Sequence, residues 1–234
     1  MEAHLKSFGD IEFEYVFLKD YRLDYCKGCC ACFLRGEEHC PLKDDRDVLL
    51  AKIADADGVI LASPNYSFQV SAQMKNLLDR MSFILHRPRF FGKAFTSIVA
   101  QGIHGGAPIV KYLASVGEGW GCSVTKGCFL TALDSRTPRQ EKRIAREIER
   151  TAKEFHEELV RPGPRIPSLF RLMLFRMART AMKATLDDTY YDYRYYSDKG
   201  WFESDYYCDV PLGFFRKRAG SFFDFLGVQM AKYR

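Results

Sequence analysis

One short stretch limits the fold more than any other: Gly58-Val59-Ile60-Leu61-Ala62-Ser63, an apolar run with almost no polar interruption. Such a run reads as a strand with no wet face. A strand buried on both faces needs helices on each side of its sheet, which points to α/β architecture. The flanking segments agree. Asp44 or Asp45 can cap a helix that carries Val48, Leu49, Ile53 and Ala54 on one face. Ser71 can cap the next, whose apolar positions are Met74, Leu77, Leu78, Met81 and Ile84. A second strand is expected over Ala94–Ala100, then a helix from about Ala107 to Val116, then a strand around Cys128–Ala132. Thr137-Pro138-Arg139-Gln140 has the form of a capping box with proline at the first helical position. Ile144, Ile148, Ala152, Phe155 and Leu159 are the core stripe of the helix it starts. Ahead of all of these, Ile11, Phe13, Tyr15 and Phe17 alternate with polar neighbours, the pattern of a strand with unequal faces. Strands alternating with helices predict a mostly parallel sheet.

Charge divides the chain. Of the net +5, residues 1–160 contribute nothing, and residues 161–234 carry 13 basic against 8 acidic side chains with half of the 34 aromatics. The break at Pro162-Gly163-Pro164 therefore marks a boundary: an α/β domain over 1–160 and a helical, Tyr/Phe-rich extension over 161–234. No apolar run is long enough to span a membrane and no signal peptide opens the chain, so a cytoplasmic protein is expected. In that compartment eight cysteines favour metal or redox chemistry over disulfides.

Four of those cysteines crowd one loop. Cys26, Cys29 and Cys32 follow C-x-x-C-x-x-C spacing, Cys40-Pro41 comes after seven intervening residues, and Cys30 lies within the triple. Four thiolates can hold either tetrahedral zinc or a cubane cluster. The tight triple and the proline after the fourth lean toward iron–sulfur, since zinc ribbons use two separated pairs. Cys122, Cys128 and Cys208 are isolated and read as structural.

Ligands of parallel sheets bind at the carboxyl ends of the strands. Two loops are expected there. Pro64, Asn65, Tyr66, Ser67 and Phe68 offer a flat aromatic wall and an amide; Gln101, Gly102, Ile103, His104, Gly105 and Gly106 offer backbone that can approach a planar ligand closely. Asp79-Arg80 reads as a helix-surface pair.

These residues resemble the flavodoxin-like NAD(P)H-dependent FMN reductases, in particular their iron-sulfur flavoprotein branch. The likeness runs through Cys26-x-Gly28-Cys29-x-x-Cys32-Phe33, Cys40-Pro41-Leu42-Lys43-Asp44-Asp45, Ala56–Tyr66, Val70–Arg80 and the glycine loop at 101–106, covering about residues 1–160. It implies a doubly wound parallel sheet with FMN across the strand ends. The loop matching Pro64–Phe68 would meet the isoalloxazine ring, and the loop matching Gln101–Gly106 would surround its pyrimidine end. It also implies a 4Fe-4S centre on Cys26, Cys29, Cys32 and Cys40, hydride delivered by a nicotinamide nucleotide to the flavin, and an acceptor that is a quinone, flavin, disulfide or protein carrier. No side chain is expected to act as a catalytic acid or base, because the flavin carries the reaction. Relatives of this kind form dimers with flavin near the interface. One departure stands out: the family's first strand and its phosphate-binding loop have no counterpart here, Glu2–Phe8 matching the end of the first helix and Ile11–Leu18 the second strand. An upstream start codon is therefore expected.

The extension has its own patterns. Leu169, Phe170, Leu172, Met173, Leu174 and Met177 are interleaved with Arg171, Arg176, Arg179 and Lys183, as in a basic amphipathic helix that either packs on the protein or touches a membrane surface. Packing is the expected use. Tyr190–Tyr207 is too aromatic for disorder. Three adjacent basic residues, Arg216-Lys217-Arg218, are too few for nucleic-acid binding. The competing readings are a non-enzymatic paralogue with structural zinc and a peripheral membrane adaptor; neither needs the two strand-end loops.

Overall fold

The computed structural model describes residues 1–131 and 137–232. Its elements in chain order are α1 (Glu2–Lys6), α2 (Ala31–Leu34), α3 (Arg46–Asp55), β1 (Gly58–Pro64), α4 (Ala72–Arg80), α5 (Phe83–His86), β2 (Ala94–Gln101), α6 (Gly106–Gly119), β3 (Ser123–Val124), β4 (Cys128–Thr131), α7 (Pro138–Leu159), α8 (Leu169–Thr185), α9 (Tyr191–Asp198) and α10 (Phe214–Lys232). They divide into two units. The first comprises Met1–Lys27, Lys43–Leu85 and Arg89–Gly163; the second comprises Gly28–Leu42, His86–Pro88 and Pro164–Arg234. The second unit thus takes in most of the cysteine loop along with the extension, an association that no local sequence pattern announces.

The first unit is a parallel sheet flanked by helices, the α/β architecture expected. β2 is central: β1 pairs with it from Gly58↔Ala94 to Pro64↔Ala100, and both β3 and β4 pair with it on its other side. The burial of β2 is nearly continuous, with Ala94, Phe95 and Val99 fully hidden, as a strand covered on both faces requires. Leu5, Ala94, Ala152 and Phe155 form one core cluster, against which Ile11, Phe13 and Ile60 pack.

Local signals placed two helix starts well, while at α3 Asp45 is the N-cap residue but no side-chain bond caps the helix. The Ser71 hydroxyl accepts from the Met74 N–H, and Thr137 forms the full capping box with Gln140. Helix α6 begins one residue ahead of Ala107 and continues past Val116 to Gly119, where the Trp120 N–H closes it with a bond to the Val116 carbonyl (2.9 Å). The end of the last strand, Ala132, lies outside the described residues.

Two expectations are corrected. Residues 11–17 form no strand: Ile11 and Phe13 do pack inward, but among the described residues no neighbouring strand meets their backbone, and Tyr15 and Phe17 are exposed. The alternation reported one buried side correctly, and a ladder needs a partner as well. Arg80 is no surface residue. It is buried, donating to the Asp24 carbonyl (2.7 Å) and gripping the Asp44 carboxylate, while Asp79 pairs with Lys75.

In the second unit α8 is capped by Ser168 and packs on α10. Arg176 and Arg179 on α8 are buried and share Asp224 of α10. Phe175, Tyr196, Trp201, Tyr206 and Tyr207 make an aromatic cluster of mostly edge-to-face contacts. Among the described residues, no helix is long and apolar enough to cross a membrane.

Candidate functional site

The carboxyl ends of β1 and β2 lie side by side, and the Asn65 N–H extends their ladder by one bond to the Ala100 carbonyl (2.7 Å). The chain then makes a tight turn in which Tyr66 and Gln69 exchange two backbone bonds, both 3.0 Å. Its central residues, Ser67 and Phe68, have φ of 50° and 64°. Left-handed backbone costs a non-glycine residue about 1–2 kcal/mol, so this turn holds strain of the kind that gathers at functional loops. The result is that Tyr66 and Phe68 stand out from the protein, 65% and 64% exposed, instead of burying their rings.

The second loop is built around Gln101. Its side chain is buried; Oε1 accepts from the Gly106 N–H (2.6 Å), and Nε2 donates to the Ile103 carbonyl (3.3 Å) and the Thr131 hydroxyl (3.1 Å). One amide thus ties the loop to the start of α6 and to β4. Gly105 has φ of +97°, and a Cβ there would stand 2.8 Å from the Phe68 ring and 2.9 Å from the Asn65 amide nitrogen. Gly102 has open space beside it and no positive φ.

Asn65 joins the two loops. Its Nδ2 donates to the His104 carbonyl at 2.8 Å. That partner only accepts, so the amide orientation is fixed. The other atom, Oδ1, is buried with no hydrogen-bond partner. An orphaned acceptor of this kind costs about 1–3 kcal/mol, a cost that a donating ligand would offset. Phe68 and His104 rings lie 5.2 Å apart, and Ile103 is exposed beside them. Of the eleven strand-end residues singled out in the sequence, Pro64 and Gln101 end β1 and β2, Gly106 opens α6, and the other eight form the two loops. A planar heteroaromatic with an imide N–H fits what they offer: apolar rings, close backbone and one unpaired acceptor.

The cysteines behave differently. Cys26 falls in the first unit; Cys29, Cys30, Cys32 and Cys40 fall in the second. None of the eight thiols is in a disulfide; Cys26, Cys29 and Cys30 are exposed and Cys32 and Cys40 half-buried. The Cys30 thiol contacts the Gly28 carbonyl at 3.6 Å. The donor set is right in kind for a four-thiolate centre, yet among the described residues no three His, Cys, Asp or Glu side chains converge as a metal site. Cys122 and Cys128 are buried; burial pushes the Cys128 thiol up, and likewise raises Cys208 to about 11, so both are held as neutral thiols.

Sequence reasoning missed what supports these cysteines. Arg87 is completely buried; it pairs with Asp192, donates to Glu37 (2.8 Å) and to the Cys32 carbonyl (2.9 Å), and lies over the rings of Tyr191 and Tyr195. His86 Nδ1 sits 2.8 Å from the second Asp192 oxygen, and Tyr196 donates to the His86 carbonyl (3.0 Å). No local signal singles out Asp192, which is one of four acids among the aromatics of Tyr190–Tyr207. In the first unit, Asn76 and Arg80 hold the carbonyls of Leu23 and Asp24, just ahead of Cys26. Burial pushes the Asp44 carboxyl up, but bonds from Arg80 and from the Asp24 and Arg46 N–H groups outweigh it and leave it below the ordinary aspartate value.

Residues 1–136 match the family described as NADPH-dependent FMN reductase. An iron-sulfur flavoprotein of Archaeoglobus fulgidus is 38% identical over 124 residues, 52% of this chain and 56% of that protein. One from Methanocaldococcus jannaschii is 49% identical over 70 residues, 30% of this chain and 35% of its own length. The chain thus spans about half or less of the curated relatives it matches. The solved structure of RosB, with a bound 8-demethyl-8-formylriboflavin-5'-phosphate intermediate, overlays with a TM-score of 0.48 at 16% identity, over 91% of this chain and 81% of that one.

Proposed function

The chain belongs to the NADPH-dependent FMN reductase family, and from that premise we propose that its strand-end loops hold the isoalloxazine ring of FMN in an NAD(P)H-dependent flavin oxidoreductase. The observation that carries this reading is the buried, unpaired Asn65 Oδ1 at the junction of the two loops. The ring system of FMN has one imide N–H, the donor this acceptor lacks. When bound, FMN supplies electron exchange between a two-electron nicotinamide donor and a one- or two-electron acceptor. The chain's own part is positioning. Tyr66 and Phe68 give an apolar wall, Gln101 fixes the second loop, and Gly105 lets the two loops close on each other. The acceptor is a quinone, free flavin, disulfide or protein carrier.

Cys26, Cys29, Cys32 and Cys40 are the thiolates we assign to a 4Fe-4S centre. Their spacing and the iron-sulfur character of the relatives' names support this, and binding of a metal centre is coupled to the ordering of its ligand loop.

FMN titration followed by flavin fluorescence tests the ring site. Asn65→Ala is expected to weaken FMN binding about tenfold; because it also removes the Nδ2 bond to the His104 carbonyl, folding stability is expected to fall by about 1 kcal/mol. Undiminished binding by this variant would remove the central support. Iron, sulfide and zinc assays after anaerobic reconstitution test the thiolates. Iron with sulfide is expected, and zinc alone would favour the structural paralogue.

A further inference from the structure

Helix α8 packs on α10, where a Cβ at Gly227 would stand 3.0 Å from Met177 and Thr180, and its Leu172 and Phe175 are fully buried, as expected of an amphipathic helix. Yet Leu169, Phe170 and Leu174 remain exposed, and so do Phe214, Phe215, Phe222 and Phe225 of α10, with Phe215 at 87%. At 100° per residue, Phe214, Phe215, Arg218, Phe222 and Phe225 fall within an arc of about 100° on α10. Gly220, Asp224 and Gly227 lie on the opposite side, where Gly220 and Gly227 are buried.

Charge identifies what this arc meets. Helix α8 contains no acidic residue. Helix α10 contains one, Asp224, and it is turned onto Arg176, Arg179 and Thr180. The exposed charges of α10, Lys217, Arg218 and Lys232, are all positive. Arg218 lies 5.4 Å over the Phe214 ring, so cation and apolar surface are interleaved. A second copy of the chain seated symmetrically here would set these cations against their own likeness. An anionic lipid surface satisfies both features: acyl chains accept the phenylalanines, and headgroups accept the cations.

We propose that the Phe214–Phe225 arc of α10 docks on an anionic lipid surface, the helix lying in the interface plane. Binding of the full chain to phosphatidylcholine vesicles, with and without phosphatidylserine, tests this. Binding is expected only with phosphatidylserine and is expected to weaken with added salt. Arg218→Glu should lower it about fivefold or more, and the double variant Phe215→Ser/Phe222→Ser about tenfold or more. Both changes are at exposed positions, and unchanged far-UV circular dichroism will show that the fold persists. Equal binding to neutral vesicles, or no binding to either, would overturn the proposal. So would sedimentation showing a dimer that dissociates in the double phenylalanine variant, since the arc would then belong to a second copy.

Discussion

The strand-end loops and the cysteine segment are both rich in groups that bind, and they are prepared in opposite ways. At the strand ends the sheet fixes where the loops begin, and side-chain amides finish the work: Gln101 and Asn65 lock the loops, leaving one acceptor unpaired. In the cysteine segment regular structure is scarce. Its α-helix, α2, has four residues, and the backbone around it passes through left-handed conformations at Gly28 and Cys30. The firm part lies behind the thiols, where Arg87 binds Cys32, Glu37 and Asp192. A sheet can aim a site by itself, whereas a segment without regular structure needs a buried anchor, here completed by the extension.

The largest effect should come from breaking that anchor. Asp192→Ala leaves Arg87 buried with its closest counter-charge gone, which costs about 3–5 kcal/mol when a buried pair is broken from one side. Amide exchange will show where the loss falls. Protection is expected to drop across Ala31–Leu34, while Ala94–Gln101 keeps its own. Intact protection over Ala31–Leu34 would mean that α9 does not anchor the cysteine segment.

Next comes the strand-end site. Gly105→Ala forces a side chain onto a φ of +97° and into contact with Phe68 and Asn65. The backbone alone costs about 1–2 kcal/mol, and FMN binding should fall with it, since the loops can no longer close. Urea unfolding and FMN titration on the same variant check both. Ser71→Ala should cost about 1 kcal/mol through loss of the α4 cap and leave FMN binding alone. A large binding defect in that variant would show that the comparison is drawn too sharply, with α4 steering the site as well.

How much of this was readable in the sequence follows the same division. β1, β2, α4 and the capping box of α7 were legible because each depends on neighbours in the chain: apolar runs, caps, proline at the first turn. Asn65 and Gln101 were legible as members of loops, but their roles were not, since the orphaned oxygen and the Gly106 bond exist only once two loops meet. The false strand at residues 11–17 shows the limit of alternation, which reports a buried side and not a pairing partner. Arg80, Arg87 and Asp192 were opaque for a related reason. Their buried ion pairs join positions 36 and 105 residues apart in sequence, and nothing local distinguishes such an arginine from a solvated one.

The smallest effect separates the needs of the fold from those of the ligand. Gly102 sits in the same loop as Gly105, with no atom within 4 Å of where a Cβ would stand and no left-handed backbone. Gly102→Ala should therefore change folding stability by less than about 0.5 kcal/mol. If the flavin lies against this loop, that open space is where its edge approaches the backbone, and FMN affinity should still fall, though less than in Gly105→Ala. Loss of stability would mean that the loop is packed more tightly than its geometry indicates. Unchanged stability with unchanged affinity would place the ring nearer Tyr66 and Phe68 and away from the Gly102 backbone.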